Sequence, residues 1–325
     1  MPVWPSHSFH MSKADVLSVA KLSPFYQEPL AAHFTVHDRV HTSDPASFTT
    51  LAPRIRAIAA DGNSRVGADL IAQLPALKII SVMGVGYDGI DVAAANARGI
   101  MVTHTPDVLN DDVADLALAL MLSVARALPQ AEQFVRTGQW ENGGFPLQRK
   151  MSGARLGIVG LGRIGQAIAT RAAAFGMSIA YNTRQPRPNL PYRYFPSAKA
   201  LAAESDFLVA ITPGGEGTRH LINAEVLKAL GPRGYLINVA RGSVVDQDAL
   251  IEALEKGTIA GAGLDVFADE PHVPERLRKL SNVVLTPHIA SATHETRRAM
   301  GELAFANLEA YFSGKALLTP VPECR

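Results

Sequence analysis

Six consecutive residues carry the first chemical signal. Gly160-Leu161-Gly162-Arg163-Ile164-Gly165 has glycines at its first, third and last positions, directly after an apolar run and directly before a helical one. In that setting the spacing serves a dinucleotide pyrophosphate. Gly160 permits a tight turn, Gly162 lets the backbone approach the phosphates where any Cβ would collide, and Gly165 lets helix and strand pack closely. The helix beginning there presents unpaired N–H groups and its positive end to an anion. The strand that follows selects the cofactor. A site for NAD ordinarily has an acid at the end of that strand, accepting hydrogen bonds from ribose hydroxyls; here the chain reads Asn182-Thr183-Arg184-Gln185-Pro186-Arg187. No carboxylate repels a 2′-phosphate. Arg184 attracts one by a charge-assisted hydrogen bond, Asn182 and Thr183 add neutral donors, and Arg187 adds a second charge. NADP(H) is therefore expected in preference to NAD(H).

A hydride donor needs a carbonyl acceptor that is held and polarised, and three later residues suit that task. Arg241 lies in Asn238-Val239-Ala240-Arg241-Gly242, Glu270 in Asp265-Val266-Phe267-Ala268-Asp269-Glu270-Pro271, and His288 in Thr286-Pro287-His288-Ile289-Ala290-Ser291. Each is expected at the end of a strand or in the loop after it, the edge of an open parallel sheet where sites form. His104, His220, His272 and His294 have no ligand spacing such as a helical His-x-x-x-His pair, so no metal site is expected.

The elements that must position these groups follow from apolar periodicity. Strands are expected at 16–20, 55–60, 79–83 and 100–103, with helical segments at 67–74 and 92–97. A long helix is expected over 108–126, with Asp111, Asp112 and Asp115 early in it, where the helix dipole favours carboxylates. After a glycine-containing loop comes a second strand series, at 155–159, 178–181, 207–210, 235–238, 263–266 and 283–286. A last helix over 295–312 returns to the first domain. Alternating strands and helices imply parallel sheets covered by helices on both faces. The expected fold class is thus α/β, with two Rossmann-like domains, each a doubly wound parallel sheet, and a cleft between them. Residues 1–103 plus 291–325 are expected to form a substrate-binding domain and 104–290 the dinucleotide-binding domain.

Composition narrows the class further. Apolar residues at 47% supply a core, while 31 basic against 30 acidic residues leave a net charge of +1 and no reason to expect a nucleic-acid partner. No apolar run reaches the length of about 18 residues that spans a membrane. The one cysteine, Cys324, has no partner for an internal disulfide, which points to a reducing cytoplasm. Residues 1–10 lack periodicity and the basic start and apolar centre of a signal peptide; the fold is expected to begin near Ala14.

From residue 14 onward the chain resembles the D-isomer-specific 2-hydroxyacid dehydrogenases. The matching pieces are the glycine turn, Val239-Ala240-Arg241-Gly242, Gly263-Leu264-Asp265-Val266 with Glu270-Pro271, and Pro287-His288-Ile289-Ala290. Within that family Gly62-Asn63, Val85-Gly86-Tyr87-Asp88 and Asn182-Thr183-Arg184 are most similar to the glyoxylate/hydroxypyruvate reductases. The resemblance implies reduction of small 2-keto acids to 2-hydroxy acids. Arg241 would bind the substrate carboxylate and keto oxygen, His288 would be the general acid, and Glu270 would hold the imidazole and stabilise its charged form. Backbone N–H groups around Val85 and Gly86 would hold the carboxylate. Asp265 would sit near the nicotinamide, with a helix or loop cap as the alternative. Thr212, Pro213, Thr218, Val239 and Ala240, along with Arg241 and His288, would join the cofactor contacts. Trp140 would reach the active site of a neighbouring subunit, in a homodimer formed through the cofactor domains, or else be an aromatic anchor at a dimer interface or inside the subunit. The rival from another class is a nucleotide-sensing, corepressor-like regulator of the same fold without turnover.

Overall fold

The computed structural model describes residues 13–324; the stretch 1–10 set aside above lies outside them. The chain forms two compact units, one ending at Val108 and resuming at His294, the other running Leu109–Thr293.

The first unit is built on β1 (Asp15–Ser18), β2 (Thr35–Asp38), β3 (Ile55–Asp61), β4 (Ile79–Met83) and β5 (Met101–Thr103). They lie in the order β2-β1-β3-β4-β5, every pairing parallel. β1 and β4 are buried along their whole length. Strands of a parallel sheet covered on both faces must be apolar throughout, which is why they are legible as continuous runs. β2 escapes that reading: Thr35-Val36-His37-Asp38 lies partly exposed at the sheet edge and is defined by its pairing with β1. The helix His294–Phe312 packs on β4 and on the helix Pro24–His33, and Ile58, Ile71, Leu74, Ile80 and Val102 share the core.

The second unit carries β6 (Arg155–Val159), β7 (Ser178–Asn182), β8 (Arg193–Tyr194), β9 (Phe207–Ala210), β10 (Tyr235–Asn238), β11 (Gly261–Leu264) and β12 (Val283–Leu285). Their order is β12-β11-β10-β9-β6-β7-β8, again wholly parallel. From β6 the chain moves outward to β7 and β8, then returns to the other side of β6 for the remaining four strands. The switch falls between β6 and β9, where Val159 lies opposite Ala210. In doubly wound sheets the crevice beyond the carboxyl ends at this switch takes the ligand. The helix Asn110–Arg126 buries Val113, Ala117, Leu120, Met121 and Val124, a helical stripe that packs on the helix Arg163–Ala174, β10 and β11.

β11 and β8 also depart from the sequence expectation. β11 occupies Gly261–Leu264 rather than 263–266. Gly261 and Ala262 lack the branched or aromatic bulk that marks a strand, yet both are buried and pair with Tyr235 and Leu236. Asp265 therefore stands just beyond the strand. β8 is too short for any periodicity to announce it. No helix among the described residues is long and apolar enough to cross a membrane.

Candidate active site

The glycine turn leaves β6 with Gly160 at φ 100° and its N–H on the Asn182 carbonyl at 2.9 Å. A Cβ on Gly160 would stand 2.6 Å from the Ile211 carbonyl oxygen, so only glycine lets this turn lie against the loop after β9. That contact brings Thr212 and Pro213 to the turn. A Cβ on Gly165 would collide with the Gly160 carbonyl, whereas Gly162 faces open space and starts the helix Arg163–Ala174 without a side-chain cap. The N-terminal N–H groups of that helix are thus available to an external acceptor, which fits a pyrophosphate. Leu161 is buried beneath the turn. Thr218 closes the neighbouring loop, its hydroxyl donating to the Pro213 carbonyl at 2.7 Å.

At the end of β7 the four polar residues divide. The buried Asn182 donates from Nδ2 to the Phe195 carbonyl at 2.8 Å, which ties down the residue after β8 and leaves its second amide N–H for another acceptor. Thr183 donates its hydroxyl to the Gln185 carbonyl at 2.6 Å, and the Tyr181 hydroxyl accepts from the Arg187 N–H at 2.6 Å. These bonds shape a tight loop from which Arg184 and Arg187 project, exposed and without an acidic partner among the described residues.

Arg241, Glu270 and His288 come together at the carboxyl ends of β10, β11 and β12. Asn238 templates the first turn: its Oδ1 accepts from the Ala240 N–H at 3.1 Å and its Nδ2 donates to the Arg241 carbonyl at 3.0 Å. Val239 and Ala240 are buried, and Arg241 donates from Nη1 to the Ala240 carbonyl at 2.8 Å. A Cβ on Gly242 would overlap the Phe267 carbonyl, so glycine there lets the arginine loop press against the glutamate loop. Glu270 accepts from the Phe267 N–H at 3.0 Å and, through Oε2, from His288 Nδ1 at 2.7 Å. Burial pushes the Glu270 carboxyl up. The bonds from His288 and Phe267, with the charges of His288 and Arg241, outweigh that and hold it below its ordinary value.

Asp265 is fully buried, and both its oxygens serve the histidine loop. Oδ1 accepts from the Thr286 hydroxyl at 2.6 Å and the Ile289 N–H at 2.8 Å, and Oδ2 from the Ala290 N–H at 2.9 Å. His288, at φ 53°, donates its own N–H to the Asp265 carbonyl at 2.9 Å. Of these supports, Asn238 was missed in the sequence; its signal was an amide at a strand end opening a turn. Val85 and Gly86 lie in the first unit, in the loop after β4. Trp140 lies in the second, in the short 3-10 helix Gln139–Asn142, 67% exposed. No group of three or more His, Cys, Asp or Glu among the described residues could hold a metal ion.

Residues 118–290 match the family model for the NAD binding domain of D-isomer specific 2-hydroxyacid dehydrogenases. The chain belongs to that family. This 2-hydroxyacid dehydrogenase is 48% identical to glyoxylate/hydroxypyruvate reductase A of Arabidopsis thaliana, over 96% of its own length and all of the relative's. It is 47% identical to hydroxyphenylpyruvate reductase of Plectranthus scutellarioides, with 96% and 100% covered. Its structure superposes with a TM-score of 0.91 on the NADPH-dependent glyoxylate/hydroxypyruvate reductase of Sinorhizobium meliloti solved with NADP and malonate, at 48% identity over 96% of this chain and 98% of that one. The dehydrogenase is accordingly an oxidoreductase with a nicotinamide-dinucleotide domain.

Proposed function

We propose that the protein is an NADPH-dependent reductase of small 2-keto acids, converting glyoxylate to glycolate and hydroxypyruvate to D-glycerate. The observation that carries this is the 2.7 Å His288–Glu270 couple within reach of the Arg241 charge, on the same sheet edge as the glycine turn. The reductases named above support it and favour turnover over the cofactor-sensing regulator. On this reading the second unit binds the cofactor and the first supplies substrate contacts. The glycine turn would hold the pyrophosphate of a reduced nicotinamide dinucleotide, which when bound would supply the hydride for the keto carbon. Arg241 holds the keto oxygen and carboxylate with its fork of donors. The Glu270 carboxylate, an acceptor, keeps a proton on His288 Nδ1, so delivery of a proton to the keto oxygen falls to Nε2. Glu270 also holds the ring in place, Asp265 fixes the loop that carries it, and the N–H groups of Val85 and Gly86 receive the substrate carboxylate. Arg184, supported by Thr183 and Arg187, meets the 2′-phosphate.

The same reading takes the enzyme as a cytoplasmic homodimer. The helix Leu128–Arg136 has no buried residue, and Leu128, Val135, Trp140 and Leu147 around it are exposed, an apolar surface that a second copy would cover. Light scattering behind size exclusion tests that point. The activity is tested by the loss of NADPH absorbance over a panel of glyoxylate, hydroxypyruvate, pyruvate and hydroxyphenylpyruvate. Turnover of the first two is expected; cofactor binding with no turnover of any keto acid would overturn the assignment.

A further inference from the structure

The loop Gly84-Val85-Gly86-Tyr87 is gripped by groups that the reading above leaves without a role. His104, the residue after β5, places Nδ1 3.0 Å from the Val85 carbonyl oxygen. A carbonyl only accepts, so Nδ1 carries the proton and donates. The same ring meets Tyr87 edge-on, with centroids 5.2 Å apart and planes at 85°. Thr105 extends the clasp, its N–H donating to the Gly84 carbonyl at 2.8 Å. On another side Gly84 backs onto the loop after β3 so closely that a Cβ there would stand 2.9 Å from Gly62 Cα.

His104 is itself fixed at both main-chain groups by one residue. Its N–H donates to the Thr319 carbonyl at 3.2 Å, and its carbonyl accepts from the Thr319 hydroxyl at 2.6 Å. Thr319 is held by the buried Asn307, whose Nδ2 donates to Thr319 Oγ1 at 2.8 Å while Oδ1 accepts from the N–H groups of Leu318 and Thr319 at 3.0 Å. Beyond it the Val321 N–H donates to the Val102 carbonyl at 2.9 Å, and the Tyr87 hydroxyl reaches the Glu323 carboxylate at 3.1 Å. The C-terminal segment thus anchors both His104 and the Tyr87 ring of the loop.

We propose that His104 is a positioning residue that aims the Gly86 N–H at the substrate carboxylate. The physical link is short. The Val85 carbonyl and the Gly86 N–H belong to one planar peptide unit and point in opposite directions. A donor that fixes the oxygen fixes the direction of the N–H, and polarisation through the peptide makes that N–H a stronger donor. The inference rests on the assignment of the Val85 and Gly86 N–H groups made under the proposed function.

The test compares His104→Leu, which keeps bulk against Tyr87 but no donor, with His104→Asn, which keeps a donor. Losing one net hydrogen bond corresponds to roughly a five-fold effect. His104→Leu is expected to raise KM for glyoxylate about five-fold, with kcat within about two-fold and KM for NADPH unchanged; His104→Asn is expected to stay close to the parent. An unchanged KM in the leucine variant overturns the proposal. So does an asparagine variant as impaired as the leucine one, because ring packing would then be the cause. Gly86→Pro, which deletes the N–H itself, separates the two layers. A raised KM there beside a normal His104→Leu removes only the role of His104, whereas a normal KM in Gly86→Pro removes the carboxylate assignment and the proposal with it.

Discussion

Replacing Asp265 by asparagine should uncouple His288 from its position. The aspartate accepts three bonds from one loop: the Thr286 hydroxyl and the Ile289 N–H on Oδ1, and the Ala290 N–H on Oδ2 at 2.9 Å. Asparagine can keep the first two on its single oxygen, but its NH2 group then faces the Ala290 N–H, donor against donor. The lost bond to a charged acceptor is worth about 1.5–3 kcal/mol, and stranding the buried donor adds about 1–3 kcal/mol. A total of about 3–5 kcal/mol lies at the upper end for a single substitution. His288 sits at φ 53°, a left-handed conformation that costs a residue with a Cβ about 1–2 kcal/mol, so the loop will relax once its anchor weakens. In a unit of this size the unfolding midpoint should fall by roughly 10 °C. Displacing the imidazole by about an ångström should lower kcat roughly 10²-fold. Differential scanning fluorimetry and steady-state NADPH oxidation measure the two effects. An Asp265→Asn enzyme that melts within 2–3 °C of the parent and turns over within about three-fold of it would refute the reasoning.

Three further outcomes follow from the site. Arg184→Ala should raise KM for NADPH at least about ten-fold, the scale of a charge-assisted bond to phosphate, and change KM for NADH less than about two-fold; equal effects on the two cofactors would end the 2′-phosphate assignment. His288→Ala should lower kcat by roughly two to four decades while NADPH still binds, as read by cofactor fluorescence; near-normal turnover would remove it as the acid. Glu270 has its folded-state pKa depressed, so it stabilises the fold above the unfolded value of about 4.3, and this contribution is lost as pH falls through the lower folded value. Denaturant midpoints across acid pH should therefore show parent and Glu270→Gln converging at the acid end, and a gap that does not narrow would contradict the stated origin of the shift.

Most of the fold was legible because its strands are buried on both faces. β4, β6, β9 and β10 fall where the apolar runs place them. β2 and β8 were not legible, since both lie at sheet edges, where backbone pairing rather than an apolar side-chain pattern defines a strand. The glycine turn, Arg241, Glu270 and His288 stood out because their residue types are chemical. Asn182, a polar residue at a strand end, reads as a ligand donor, and in the fold one of its two amide N–H groups goes to Phe195. Asn238 acts on main-chain atoms of the turn it opens and His104 on those of another loop, and contacts of that kind leave no periodic trace along the chain.

The parallel sheet explains why residues so distant in sequence can share one task. In the second unit Gly160, Asn182, Thr212, Arg241, Asp265 and His288 each lie at or just beyond the carboxyl end of a different strand, and every strand of that sheet runs the same way. A single antiparallel strand among them would have sent its terminal loop to the opposite edge. Direction alone delivers the loops, but leaves their turns free. What fixes them are the buried polar side chains at the last or next position, Asn182 on Phe195, Asn238 on Ala240 and Arg241, and Asp265 on Thr286, Ile289 and Ala290. Each transfers the rigidity of a strand to the main chain of a loop, and unmade each would leave buried polar groups stranded. The precision of this edge therefore resides in three residues that need never touch the substrate, and substitutions there should cost stability and turnover together, unlike substitutions of His288 or Arg184.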